Sequence, residues 1–159
     1  MASANKGSKF NRIEGTPEND VLKGTRRRDK IIGFQGDDEL CGRKQSDQLK
    51  GGQGNDLLEG GRGEVVLRPG KGENDRMIGL DDGDADLVRF KAGRKNALRI
   101  DGPIDPLDRI VLGGVATSDI RIEALKGDRV GIFTGDRLEA VTRGIAVEDL
   151  AALVSGSLG

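Results

Sequence analysis

Aspartate recurs along this chain at a fixed interval. Asp20, Asp29, Asp38, Asp47 and Asp56 stand nine residues apart, and Asp75 and Asp86 extend the series across short insertions. A carboxylate repeated so regularly reads as a ligand set for a hard cation, built many times over, more readily than as the single carboxylate pair of a glycosidase. Other chemistry is thin. With no histidine and one cysteine, Cys41, a zinc or copper centre lacks its usual ligands, and no general base poised near neutral pH is on offer. The sequence shows no nucleophile elbow and no phosphate-cradling P-loop, so it reads as a non-enzyme.

The residues around each aspartate keep the same interval. From Gly15 the chain runs GTPENDVLK, GTRRRDKII, GFQGDDELC, GRKQSDQLK, GGQGNDLLE and GGRGEVVLR without a break, and GKGENDRMI (70–78) and DDGDADLVR (81–89) follow after one and two extra residues. The eighth column is apolar throughout: Leu22, Ile31, Leu40, Leu49, Leu58, Leu67, Met77 and Val88. One such residue in nine matches neither the 3.6-residue period of a helix nor a long alternating strand. It matches a solenoid in which six residues turn and three form a short strand with the middle side chain inward. With 26 glycines and only 3% aromatic residues, the chain has little apolar surface to set against its ordering entropy. A bound metal is one device that supplies the missing folding free energy.

These columns resemble the RTX, or hemolysin-type calcium-binding, nonapeptide G-G-x-G-x-D-x-U-x, of which Gly51 to Glu59 is a complete example. The resemblance implies an all-β fold: a right-handed parallel β-roll with two nonapeptides per turn and calcium between stacked loops. On that pattern the metal ligands would be Asp20, Asp38, Asp56 and Asp75 of column six, Asn19, Asp37 and Asn55 of column five, and the backbone at Gly36 and Gly54 of column four, with Asp29 and Asp47 on the alternate loops. The column-five residues are expected to take the left-handed backbone such loops need. Without the cation the stacked carboxylates would repel, so calcium and folding should be coupled.

Two nonapeptides per turn give the roll two unlike edges. Loops from Gly15, Gly33, Gly51 and Gly70 carry Glu18, Asp20, Asp37, Asp38, Asp56, Glu73 and Asp75 against one base, Lys71. Loops from Gly24, Gly42 and Gly60 are basic, and their column-three residues Arg26, Lys44 and Arg62 should stack as a stripe suited to an anionic ligand such as an acidic polysaccharide. The plainer alternative is a set of solvated loop charges. Scarcity of aromatics argues against single-stranded nucleic acid.

Beyond residue 90 the pattern changes to short strand-like segments ending in a helical stretch, in which Val147, Leu150, Ala151 and Val154 share a face. The expected organisation is a degenerate repeat or N-terminal cap (1–14), the roll (15–90) and a β-rich C-terminal cap with a short terminal helix (91–159). Asp108-Arg-Ile-Val-Leu112 looks like the D-x-I-x-L segment that often follows RTX repeats. No apolar run is long enough to span a bilayer and Met1 to Phe10 is no export signal. The resemblance therefore implies secretion by a type I system through a C-terminal signal, and an extracellular protein that folds on meeting calcium.

Overall fold

The computed structural model describes residues 10–72, 74–80, 82–93, 96–102 and 104–157. Glycine-rich turns cut the chain into strands of three to seven residues, which wind alternately into two sheets. One contains β1 (Asn11–Glu14), β3 (Asp29–Gln35), β5 (Gln48–Gln53), β7 (Val66–Gly70), β9 (Leu87–Lys91) and β11 (Arg109–Gly113), adjacent in that order and all parallel. The other stacks β2 (Val21–Lys23), β4 (Glu39–Lys44), β6 (Leu57–Arg62), β8 (Arg76–Ile78) and β10 (Leu98–Ile100), again parallel. This is a parallel β-solenoid of about five turns.

Register follows the repeat. Ile31 pairs with Leu49 and Leu49 with Leu67, while Leu40 pairs with Leu58 and Leu58 with Met77. The column-eight side chains from both sheets thus meet in one core, where Ile31, Leu40, Leu58, Leu67 and Met77 are fully buried. Leu22, on β2, which ends its sheet among the described residues, is only half-buried.

The winding continues past residue 90, since β10 and β11 lie in register on β8 and β9. The chain then reverses through β12 (Ile120–Ala124), β13 (Arg129–Thr134) and β14 (Arg137–Arg143), an antiparallel meander whose last strand lies parallel against β10. Helix α1 (Val147–Leu153) leads into β15 (Val154–Ser157), which pairs with β11. The last strands of the winding, β10 and β11, are thereby paired on their C-terminal side by β14 and β15, and the sheets end on β12 and β15. The helix buries Leu150 and Leu153; Ala151 is exposed and Val154 belongs to β15, so the expected four-residue apolar face is not formed. The apolar face of this seven-residue helix is instead Val147, Leu150 and Leu153, at i, i+3 spacing, with Val147 partly buried.

Candidate metal centre

The chain crosses between the sheets at two edges, and at each edge the column-six aspartates stack one above another, all buried except Asp20, which is half-buried. At the first edge the Asp20 N–H donates to Asp38 Oδ1 (2.9 Å), the Asp38 N–H to Asp56 Oδ1 (3.1 Å) and the Asp56 N–H to Asp75 Oδ1 (2.8 Å). One carboxylate oxygen of each turn is therefore spent on holding the loop of the preceding turn in register. The second oxygen tucks beneath the glycine that opens its own loop: a Cβ on Gly33 would stand 2.1 Å from Asp38 Oδ2, and one on Gly51 would stand 2.2 Å from Asp56 Oδ2. Glycine in column one is thus a requirement of the inward-turned carboxylate.

The second edge repeats this arrangement. Asn11 Nδ2 donates to Asp29 Oδ1 (2.7 Å) and the Asp29 N–H to Asp47 Oδ1 (2.7 Å); further on, the Val65 N–H donates to Asp86 Oδ1 (2.7 Å) and the Asp86 N–H to Asp108 Oδ1 (2.9 Å). Asp86 and Asp108 are members that reading in nines did not assign to this edge. The loops that carry them, between β8 and β9 and between β10 and β11, are longer than six residues, and the insertions hide the stacking. Asp108 opens the D-x-I-x-L segment, whose Ile110 and Leu112 are fully buried; that segment was the available signal.

The second oxygens divide the ladders into satisfied ends and an unsatisfied middle. Near the N-terminus, Asp20 Oδ2 accepts from the Thr16 N–H (2.6 Å) and hydroxyl (3.0 Å), and Asp29 Oδ2 likewise from Thr25 (2.6 and 3.0 Å). At the far end, Asp108 Oδ2 accepts from the Asp105 N–H (2.9 Å). Between them, Asp38 Oδ2, Asp56 Oδ2, Asp47 Oδ2 and Asp86 Oδ2 are buried with no hydrogen-bond partner. An anionic oxygen removed from water and left unpaired is strongly unfavourable unless it is protonated or meets a cation.

Titration behaviour follows from that geometry. Burial, reinforced by neighbouring carboxylates, pushes Asp47, Asp56 and Asp86 up to about 7 and Asp108 up to about 6, and it raises Asp38. Backbone N–H groups pull in the opposite direction at each of these residues but do not win. The same burial that favours a proton on these carboxyls would favour a divalent cation beside them.

The donor set suits calcium. Among the described residues no three acidic side chains gather into a cage, so a cation here would draw on one or two carboxylates and on main-chain carbonyls, as a large, many-coordinate oxygen-seeking ion can. The loop backbone is shaped accordingly. Columns two and four take positive φ at Gly52, Gly54, Gly61 and Gly63, at Gly36 (φ 99°), and even at Phe34, Arg43 and Gln45. Column five does not: Asn19, Asp37 and Asn55 keep negative φ, contrary to expectation. These three are exposed, and Asn19 Oδ1 accepts from the Asp37 N–H (2.8 Å), Asp37 Oδ1 from the Asn55 N–H (2.7 Å) and Asn55 Oδ1 from the Asn74 N–H (3.0 Å). Their side chains form a second, outer ladder, which explains the preference for Asn and Asp there without a left-handed backbone.

The basic stripe is only partly a stripe. Arg26, Lys44 and Arg62 are exposed and Lys44 pairs in register with Arg62, but Glu64 and Asp84 share the open groove of about 480 Å³ that these last two border. Compared with known families, residues 14–49 and 42–67 match the RTX calcium-binding nonapeptide repeat, in four copies. No curated protein matches the chain.

Proposed function

We propose that the chain is a calcium-folded β-roll of the RTX nonapeptide-repeat kind that residues 14–67 match, acting outside the cell as a structural or binding module, without catalysis of its own. The observation that carries this reading is the set of four buried carboxylate oxygens without partners, on Asp38, Asp56, Asp47 and Asp86. Calcium supplies charge neutralisation there, and the chain supplies register: Asp38 and Asp56 each join two neighbouring loops. Asp20 and Asp75 bound that edge, with the outer ladder of Asn19, Asp37 and Asn55 and the positive-φ glycines Gly36 and Gly54 shaping the loops. Asp29 and Asp47 serve the other edge, with Thr25 standing in for a cation at Asp29.

Folding governed by calcium suits export unfolded through a type I system, with residues 15–90 ordering on calcium and the C-terminal region serving as cap and secretion signal. No helix among the described residues is long and apolar enough to cross a membrane. A second reading, capture of an acidic polysaccharide along Arg26, Lys44 and Arg62, is supported by the Lys44–Arg62 stacking and opposed by Glu64 and Asp84 beside it. The test of the leading reading is a calcium titration followed by circular dichroism, with magnesium and chelator controls. Calcium-specific gain of β-structure supports it, and identical spectra with calcium and with chelator refute it. Alanine at Asp38 or Asp56 should raise the calcium midpoint of folding more than alanine at Asp29.

A further inference from the structure

Parallel winding puts columns seven and nine of every second repeat on one flat surface, the outer face of the seven-stranded sheet. Its exposed side chains include Lys30, Lys50, Arg68, Arg89 and Arg109, and its one strand-borne outward acid is Glu14, already paired with Arg12. Lys50 pairs in register with Arg68, and Arg89 follows on the next strand, where Leu67 pairs with Val88. Adjacent members of this row stand about one strand spacing apart, ~4.8 Å. Among the described residues none of Lys30, Lys50, Arg68 or Arg89 has a carboxylate partner. The opposite sheet differs: Glu39 and Glu59 interrupt its face, and Arg76 and Arg99 are tied to Asp101.

Beside Lys50 the face sinks into a groove of about 270 Å³, lined by Phe34, Gln35, Gln53 and Lys71 among others. Its floor is Gly52 and Gly70, and a Cβ on Gly52 would meet the Phe34 carbonyl oxygen at 2.0 Å. Phe34 stands where the following repeats on this edge carry glycine, holds φ at 86° and leaves 43% of its surface exposed. A bulky side chain in that backbone region is strained, and it recovers little of the cost through burial.

We propose that this face binds a carboxylate-bearing polysaccharide, lying along the Lys50–Arg68–Arg89 row with one sugar ring against Phe34 and the Gln35 and Gln53 amides. An aromatic face offers an apolar platform to the C–H side of a pyranose, the amides bond its hydroxyls, and evenly spaced cations match a polymer with evenly spaced carboxylates. Duplex DNA would call for an element that enters a groove, and single strands for several stacking aromatics; this face is flat and offers one ring. The cation row lies along the strands, while Phe34, Gln35 and Gln53 lie where β3 and β5 run into the loops of the first calcium edge, so the proposal rests on the calcium reading in that both strands and loops must be folded.

The test uses the calcium-loaded protein and hyaluronate, a carboxylate polymer, with neutral dextran, phosphatidylserine vesicles and a single-stranded oligonucleotide as comparisons. The variant Lys50→Ser/Arg68→Ser/Arg89→Ser should bind hyaluronate about 100-fold more weakly than the parent, taking roughly fivefold per lost cation. Phe34→Ser should weaken binding while leaving its salt dependence unchanged, and Arg26→Ser/Lys44→Ser/Arg62→Ser should bind like the parent. In the parent, bound polymer should shield Lys30 and Lys50 from acetylation and leave Lys23 and Lys44 reactive, a readout that needs no variant to fold. The proposal is overturned if the parent does not bind hyaluronate, if the loop-edge variant loses as much as the face variant, or if vesicles or oligonucleotide bind more tightly than hyaluronate. Circular dichroism with and without calcium on the same samples scores the calcium reading separately.

Discussion

Replacing Asp56 by Asn should cost much less stability without calcium than with it. The substitution keeps the shape and the Oδ1 acceptor that holds the Asp38 N–H (3.1 Å), and it alters the buried, unpartnered Oδ2. Without metal, the wild-type carboxyl is pushed up to about 7 by burial and by Asp75 and Asp38. Keeping it ionised at about pH 8 costs the native state on the order of 2–4 kcal/mol, at about 1.4 kcal/mol per pH unit of displacement from the ordinary value. Asn removes that cost and adds about 1–3 kcal/mol for an amide N–H₂ with no evident acceptor. The chelated variant should therefore lie between about 1 kcal/mol less and about 3 kcal/mol more stable than wild type. In saturating calcium the variant has lost a charged ligand that adjoins two loops, and a tenfold affinity loss at each would destabilise it by about 3 kcal/mol. Urea unfolding followed by circular dichroism, in chelator and in calcium, reads both quantities. Equal destabilisation in the two conditions would mean that Asp56 is only a backbone-capping acceptor and that the orphaned oxygen has no metal to meet.

Three further outcomes are expected. Because Asp47, Asp56 and Asp86 titrate higher folded than unfolded, the folded metal-free state binds more protons, so its stability should fall as pH rises from about 4 through about 7, while the calcium midpoint of folding should climb on acidification through the same window; pH-dependent melting in chelator and calcium titrations at several pH values check both slopes. Leu58→Ala, at a fully buried position between Leu40 and Met77, should cost about 2–5 kcal/mol in saturating calcium, measured by chemical denaturation. Gly52→Ala should be far more damaging than Gly83→Ala: both have positive φ, but the first Cβ would meet Phe34 O at 2.0 Å and the second meets nothing within 4 Å, leaving Gly83→Ala only the roughly 1–2 kcal/mol conformational cost. Similar melting temperatures for the two variants would contradict the close stacking of these loops.

Much of this was legible in the residues because the repeat makes local and tertiary structure the same statement. A period of nine with an apolar eighth column dictates which side chain faces inward in every strand, and Ile31, Leu40, Leu49, Leu58 and Leu67 are all at most 1% exposed. The sixth-column aspartates were equally plain, since any winding with two repeats per turn stacks residues 18 apart. Wherever the interval slips, that logic fails. Asp86 and Asp108 join the second ladder across separations of 21 and 22 residues, which only the paired backbone of β9 and β11 sets.

Three features belong to the folded chain alone, each because it depends on what an atom meets across turns and not on what residue it belongs to. Seven aspartates look identical in sequence, yet Thr16 and Thr25 satisfy Asp20 and Asp29 while Asp38, Asp47, Asp56 and Asp86 keep an oxygen bare. Column five looked like a site of left-handed backbone, but the strain falls at columns two and four, where close stacking forces even Phe34, Arg43 and Gln45 to positive φ. And the cations that the sequence scatters over strands from Lys30 to Arg109 become one face only when alternate repeats are laid side by side, because a strand's outward direction has no expression until its sheet exists.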